Sequence, residues 1–396
     1  MTKLYNTQTE ITNKFREFLK KYIPSLRKTQ LNIIPEILFG MISSESVVSS
    51  DIAKCLKNEF SFIQLSSIQR RIRRFFNNEL FDHEDFYNSL IISVISQYKI
   101  KHKDKRIHIT FDHMFSHDNY VTLMFTMRVG KQGIPIWFKS FKQEYINKEI
   151  SAEKGGTIAF NESLIIEGIK HVSALFNKSF DLIFLADRWF NSEKILSTIA
   201  SLGHTYCIRL KKNIKIFIHD KKEGHKIWKW LSDLPSHKYH AIVHKDIELY
   251  DSKYKTNIVI SKYLKTKDPW IIVTNKDVEH AIQNYSHRFG SIECVFKNQK
   301  SNGLYLEAIN NASEKAYNTM YTMACTGVLF LTILGTEYSK NSKCYRNEKI
   351  VTHKIYKNKG KVRVMSLFKT GLTLFHRAIN SAKYIRLPIR FILYDM

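Results

Sequence analysis

Cysteine is scarce in this chain and falls into no pattern: Cys55, Cys207, Cys294, Cys325 and Cys344 make an odd total of five with no C-x-x-C pair. That argues against a cysteine zinc site and a disulfide framework, and it suits reduced thiols in a cytosolic protein. Acid is scarce too. Aspartate and glutamate number 36 against 62 lysines and arginines, leaving a formal charge of +26. A surplus of that size repels itself unless a polyanion neutralises it, so nucleic acid is the first expected partner and a membrane surface the second. The N-terminus, MTKLYNTQTEITNKF, lacks the apolar core of a signal peptide, which points to the cytoplasm. One long uncharged run occurs, Ala316 to Thr336, diluted by threonines, an asparagine and glycines and without a basic flank to orient it. A buried helix is expected there rather than a membrane span, and no membrane partner is assigned. With 396 residues and 44% hydrophobic content, there is material for two or three domains and a sizeable core.

Residues 1 to 100 carry helical periodicity and no convincing strand, an all-α unit. Within it, Ser49-Ser50-Asp51 can cap a helix through Leu56, and Ser66-Ser67 another over Ile68 to Asn77, with Phe62 to Leu65 in the turn. That is a helix-turn-helix outline. Arg70, Arg71, Arg73 and Arg74 surround Ile68, Ile72, Phe75 and Phe76, so the apolar residues can face the domain while the arginines face outward, as a DNA-reading helix requires.

After a lysine- and histidine-rich linker at Lys101 to Lys105, the period changes to that of a strand. Arg106 to Asp112 alternates and ends on an acid; Tyr120 to Val129 and Ile134 to Phe141 follow it as an antiparallel meander. Phe160 to Phe176 is an amphipathic helix. Asp181 to Ala186 is a continuous apolar run, the mark of a strand covered on both faces, and it ends on Asp187 before a helix from about Ser192. From Thr205 to Asn275, short strands alternate with lysines: TYCIRL, IKIFI, YHAIVH, IELY, TNIVIS and WIIVTN. This is an antiparallel β-rich insertion. An apolar helix near Glu314 to Tyr338 and a basic region, 339 to 396, with a helix at Val364 to Ser381, complete the chain. The expected units are therefore residues 1–100, 101–338 with the insertion at about 205–275, and 339–396.

Three carboxylates stand out in this order: Asp112 on an early strand, Asp187 at the end of a central strand, and Glu293 on a later helix. If Ile292 to Lys300 is helical, Glu293, Phe296, Lys297 and Lys300 share one face. Three carboxylates converging in a basic surround stay ionised only with divalent cations between them. Oxygen ligands select magnesium or manganese, and two such ions about 4 Å apart can activate a nucleophile and stabilise a leaving oxygen at one phosphodiester.

The motifs ITFD at Ile109 to Asp112, LADRWF at Leu185 to Phe190, WIIVTN at Trp270 to Asn275, and Y-x2-R…IE…F…K-S-x-G at Tyr285 to Gly303 together resemble the DDE transposases of bacterial insertion sequences, in the group with a β-strand insertion and a Tyr-Arg-Glu-Lys motif. The resemblance covers roughly residues 106 to 338. It implies an α/β fold with a ribonuclease H-like core, preceded here by the all-α DNA-binding unit, and a catalytic, metal-binding trio of Asp112, Asp187 and Glu293 with two Mg2+ ions, for which Mn2+ can substitute. It further implies that Tyr285, Arg288 and Lys300 contact transposon-end DNA, with Lys297 beside them, and that Trp270 can stack on a flipped base. The implied partners are double-stranded DNA, both element ends and target, and further copies of the chain in a dimer or larger synaptic complex. A nuclease on the same fold and a non-catalytic DNA-binding regulator are the alternatives.

Two departures bear on the site. Four residues, Phe289 to Ile292, separate Arg288 from Glu293 where the family has three, so an unbroken helix turns the two about 140° apart. A bulge at Gly290 or a restart capped by Ser291 is expected to absorb the extra residue. Trp189 stands where relatives commonly have glycine.

Overall fold

The alternation read in Arg106 to Asp112 continues to Phe115 as β1 (Arg106–Phe115), which pairs antiparallel with β2 (Tyr120–Val129); β2 in turn pairs with β3 (Gln132–Lys142). The computed structural model describes residues 2–57, 62–98, 106–116, 119–143, 157–176, 180–219, 224–237, 239–262, 268–300, 303–310, 312–341, 350–356, 360–363, 365–380 and 392–394. The lysine- and histidine-rich linker at 101–105 lies outside them, as do residues 357–359 of the basic C-terminal region. The apolar run forms β4 (Asp181–Ala186), parallel to β1, and β5 (Thr205–Arg209) lies parallel to β4. Their helices, α6 (Thr157–Leu175) and α7 (Glu193–Ser201), supply the crossovers that parallel pairing demands. Ser192 caps α7 through a hydrogen bond from the Ile195 amide at 3.3 Å.

The insertion extends this sheet instead of standing apart from it. β10 (Trp270–Thr274) pairs antiparallel with β5 and with β9 (Tyr254–Ser261); beyond them come β8 (Ile242–Leu249), β6 (Lys215–His219) and β7 (Lys226–Trp230). Among the described residues the result is a ten-stranded mixed sheet in the order β3-β2-β1-β4-β5-β10-β9-β8-β6-β7. Two expectations are corrected here. The stretches YHAIVH and IELY are one strand, interrupted by an irregularity between His244 and Ile247 where Asp246 takes φ 54°. And β7 exists where no strand was expected, because Lys-Ile-Trp-Lys-Trp offers no wholly apolar face to read.

The N-terminal helices are α1 (Thr2–Tyr22), α2 (Lys28–Ser44), α3 (Ser49–Leu56), α4 (Leu65–Phe76) and α5 (His83–Ser96). α4 starts at Leu65 with Gln64 as its cap, three residues before the expected start at Ile68, and Val48 rather than a serine precedes α3. The helical segment near Tyr285 is split into α8 (Ala281–Ser286) and α9 (Arg288–Lys300), and α10 (Glu314–Lys340) follows. α10 is long and apolar enough to cross a membrane, yet 94% of its most apolar window is buried inside the protein. Its hydroxyls are satisfied along its own turns: Thr322 donates to the Asn318 carbonyl, Thr326 to Thr322 and Thr332 to Val328, each at 2.8 Å.

The three units expected from the sequence do not keep separate cores. One buried cluster runs from Ile11 and Phe15 through the sheet to Phe375. Phe15 meets Phe330 of α10 with ring centroids 4.3 Å apart, and the Tyr87 hydroxyl donates to the Pro135 carbonyl at 2.9 Å. α11 (Leu367–Asn380) lies against α10 so closely that a Cβ on Gly371 would sit 1.9 Å from the Leu331 carbonyl oxygen, and one on Gly335 2.0 Å from that of Leu367. Only residues without a Cβ permit that approach. Apolar faces on all three segments thus cover one another, which periodicity alone could not reveal.

Candidate functional site

Parallel pairing sets the first two carboxylates level. Thr110 of β1 is registered with Leu185 of β4, so Asp112 and Asp187, each two residues further on, leave neighbouring strands at the same height. Both aspartates use one oxygen locally: Asp112 Oδ1 accepts from the His113 amide at 2.9 Å, and Asp187 Oδ1 from the Arg188 amide at 2.8 Å, capping the short 3-10 turn Arg188–Phe190. Their other oxygens turn to a common cation. Arg288 Nη2 is 2.6 Å from Asp112 Oδ2 and 3.9 Å from Asp187 Oδ2, while Nη1 is 3.8 Å from Glu293 Oε1.

The packing of α9 explains how Arg288 gets there. The helix break falls at His287, one turn earlier than a restart at Ser291, and Arg288 is the first residue of α9. Arg128 of β2 donates to the His287 carbonyl at 2.8 Å and pins the break. Gly290 abuts the β2–β3 turn, where an added Cβ would lie 2.9 Å from the Lys131 carbonyl oxygen; the Ser291 hydroxyl is 3.2 Å from that of Thr126. Held this close to the sheet, Arg288 places its guanidinium between Asp112, Asp187 and Glu293. Its Nη1 comes within 3.8 Å of Glu293 although the helix is continuous from Arg288, so neither a bulge at Gly290 nor a restart at Ser291 absorbs the extra residue as expected. The guanidinium is 8% exposed and its Nε lacks a hydrogen-bond partner among the described residues.

Electrostatics in the cluster oppose each other. Burial pushes the Asp112 carboxyl above its ordinary range, with Asp187 adding to the rise and Arg288 pulling against it. Desolvation, then Asp112 and Asp187, likewise raise Glu293, again against Arg288. For Arg288 itself, desolvation favours loss of charge, but Asp112, Tyr285, Asp187 and Glu293 together outweigh it and its pKa is raised. Because the folded-state pKa values of Asp112 and Glu293 lie above the ordinary ones, protonating them favours the fold, and that contribution fades as pH rises through the raised values.

Among the described residues, no three His, Cys, Asp or Glu side chains stand close enough together to hold a metal ion. Asp112, Asp187 and Glu293 bring oxygen donors from β1, β4 and α9 toward one point, and the charge at that point is the Arg288 guanidinium. Burial raises the Asp112 and Glu293 carboxyls, so protons compete with a divalent ion for them increasingly as pH falls. Stabilisation of the protein by Mg2+, measured as a rise in Tm, should therefore shrink as pH falls through the raised carboxyl values and grow as pH rises above them. A rise independent of pH would place the ion elsewhere.

The other expected contacts divide. Lys297 is exposed, and Lys300 Nζ donates to the Phe115 carbonyl at 2.8 Å while pairing with Glu307 at 3.5 Å. Tyr285 and Trp270, expected at a DNA surface, are instead buried, at 0% and 6% exposure. Trp270 stacks on Phe289 at 5.4 Å and meets Tyr285 edge-on at 5.3 Å, so neither ring is presented to solvent. Burial pushes the Tyr285 hydroxyl up to about 12. Arg70, Arg71, Arg73 and Arg74 are exposed on α4 above buried Ile68, Ile72, Phe75 and Phe76; Arg71 pairs with Glu36, and Arg73 Nε donates to Ser49 at 3.2 Å.

Aromatics that sequence reasoning passed over lie elsewhere: Trp228 and Trp230 on β7, each 43% exposed; Trp189, the departure noted after Asp187 and Arg188, is 75% exposed. The available signal was interleaving, since lysines flank each of these tryptophans in space or in sequence. Comparison with protein-family models and with curated proteins finds no match to this chain.

Proposed function

We propose that the chain is a DNA transposase that binds the terminal repeats of a mobile element and cuts and joins DNA strands with divalent metal. One observation carries this: three carboxylates from β1, the end of β4 and α9 converge on a single cationic point. The order β3-β2-β1-β4-β5, an antiparallel meander continued by parallel βα strands, supports a ribonuclease H-like core. Helices α3 and α4 support a DNA-binding unit. Asp112, Asp187 and Glu293 would hold Mg2+ or Mn2+, which when bound supplies charge neutralisation and an activated nucleophile for phosphodiester chemistry.

The chain's own residues do the rest. Asp112, Asp187 and Glu293 would supply the oxygen ligands, and Lys297, one turn beyond Glu293, would meet phosphate. Arg288 holds the carboxylates gathered in the metal-free protein, and its guanidinium would have to leave that position for them to hold an ion. Water attacks the scissile phosphorus, the 3′-oxygen leaves and is protonated, and the freed 3′-hydroxyl attacks target DNA, again releasing a 3′-hydroxyl. No covalent bond to the protein forms. Pairing two ends calls for two copies of the chain or more.

The exposed arginines of α4 supply phosphate contacts. Replacing Arg70, Arg71, Arg73 and Arg74 together by Gln should weaken binding to end-containing duplex and shallow the slope of log K against log salt by up to about 3.6. An unchanged slope would move the DNA-reading surface off α4.

The reading as a whole is tested by Mg2+- or Mn2+-dependent cleavage and joining of duplex that carries the element's flanking repeats. Cleavage with joining is the expected result. Cleavage alone would leave a nuclease on the same architecture. Binding without cleavage would leave a DNA-binding regulator, a reading favoured by the position of Arg288 where a metal would sit.

A further inference from the structure

The outer ribbon of the sheet carries a ladder of rings and lysines on one face. Register pairs Lys215 with Trp230, Phe217 with Trp228 and His219 with Lys226 across β6 and β7, and cross-strand partners share a face. Phe217 and Trp228 lie 5.3 Å apart. Between these residues, Ile216 is fully buried, so the opposite face of β6 does the packing and the tryptophans are not required for the core. Lysines sit over the rings: Lys215 Nζ is 4.6 Å from the Trp230 centroid and Lys253 Nζ 5.2 Å from that of Phe217.

A third pair of the same kind stands next to the carboxylates. Lys211 Nζ is 4.2 Å from the ring of Trp189, which follows Asp187 by two residues and is 75% exposed. Lys211 and Lys215 are four residues apart, so their Cα atoms are separated by at most about 14 Å. A surface cleft of about 480 Å³, lined by Ile214, Lys215, Trp228, Tyr250 and Asp251, adjoins the ladder. Tyr250 and Lys253 hold its β8–β9 turn in left-handed backbone, φ 60° and 57°, and the Tyr250 hydroxyl anchors the turn to Asn191 at 2.6 Å. Residues 205 to 275 contain fourteen lysines and one arginine against seven acids. Part of that charge is spent internally, since Lys226 pairs with Glu248 at 2.5 Å.

We propose that Trp189, Trp230 and the Phe217–Trp228 pair form a stacking platform for a single-stranded stretch of DNA, with Lys211, Lys215 and Lys253 meeting its phosphates. The chemistry selects this occupant. A duplex hides its base faces in the stack and would use the lysines alone; an acidic peptide would use the charges and leave the rings exposed. Unpaired bases need both, since every base has a face to stack and the backbone is a polyanion. The proposal rests on the DNA-processing reading for its biological setting, because strand separation beside the carboxylates generates the single strand. It does not rest on that reading for its test.

The full chain, without divalent metal, is titrated with end-labelled oligo-dT of about 20 nucleotides, longer than the roughly 4–16 that one stacking fold covers, and with duplex as the comparison. Wild type should bind the single strand with quenching of tryptophan fluorescence. Trp228→Ala with Trp230→Ala should weaken that binding about 5- to 150-fold for each stacked base lost, with duplex affinity unchanged. Trp189→Ala should do the same to a single stack. Lys215→Gln with Lys253→Gln leaves every ring in place and should shallow the salt slope for the single strand by about 1.4. Trp→Phe at 228 and 230, keeping a ring, should retain binding if the alanine variants fail to fold. Unquenched fluorescence, undiminished single-strand binding by folded alanine variants, or an unchanged salt slope in the lysine variant would each overturn the proposal. Because no cleavage is measured, a chain that binds the single strand but never cuts would sink the transposase reading and leave the platform standing; a chain that cuts but shows no such binding would do the reverse.

Discussion

Asp187→Asn should lower metal-dependent cleavage of end-containing DNA by roughly 10³-fold or more, the scale of the several kcal/mol that a bound ion contributes to charge stabilisation, while duplex binding stays near wild type. Of the three carboxylates this one allows the cleanest substitution. Its Oδ1 already accepts from the Arg188 amide at 2.8 Å, a bond that an amide oxygen can keep, so the 3-10 turn after β4 stays capped. Its Oδ2 lies 3.9 Å from Arg288, too far for a hydrogen bond, so the change removes charge without breaking a short ion pair. Asp112→Asn would sacrifice the 2.6 Å contact to Arg288 as well and mix stability into the readout. Circular dichroism and duplex binding on the same preparation separate misfolding from loss of chemistry. An Asp187→Asn protein that still cuts would take Asp187 out of the site, and with it the proposed trio.

Much of the frame that holds these carboxylates is legible in the chain. Ile107, Ile109 and Phe111 alternate with polar neighbours up to Asp112, and the unbroken DLIFLA before Asp187 can only be a strand covered on both sides. Two such strands ending in acids imply a shared sheet edge. What the pattern does not carry is which partner covers an apolar face. Phe15, Leu90 and Phe375 each mark an amphipathic helix, but that all three converge on α10 is a tertiary fact, and so the three segments look separable in one dimension and share one core in three. Burial of Trp270 and Tyr285 was hidden for the same reason: aromatic rings near a motif serve packing or recognition, and only the neighbours decide. β7 was missed because Trp228 and Trp230 break the polar-out expectation on the exposed face. That anomaly is what marks the platform. The helix break was misplaced by one turn since the anchoring contact, Arg128 to the His287 carbonyl, comes from a strand about 160 residues away.

Arg288→Met should destabilise the metal-free protein by about 2 kcal/mol, less than the roughly 3–5 kcal/mol of a fully buried ion pair because the carboxylates retain contact with solvent. Side-chain exposures of 24%, 25% and 54% for Asp112, Asp187 and Glu293 set that discount. Methionine fills a similar length of apolar space and removes only the charge and its fork. What remains are three carboxylates repelling one another, two of them already raised in pKa by burial. The same repulsion makes the variant a better host for a divalent cation. Mg2+ should therefore raise its Tm more than it raises that of the wild type, recovering part of the loss, and the apparent metal affinity should increase since no guanidinium competes. Arg288→Lys should fall between, since an ammonium keeps the charge but cannot reach two or three carboxylates at once as a planar fork does. Thermal unfolding of the three proteins with and without Mg2+, at fixed pH and ionic strength, reads all of this. Equal Tm values and equal responses to Mg2+ would mean that Arg288 holds nothing together, and that the convergence on which the site rests has no energetic weight.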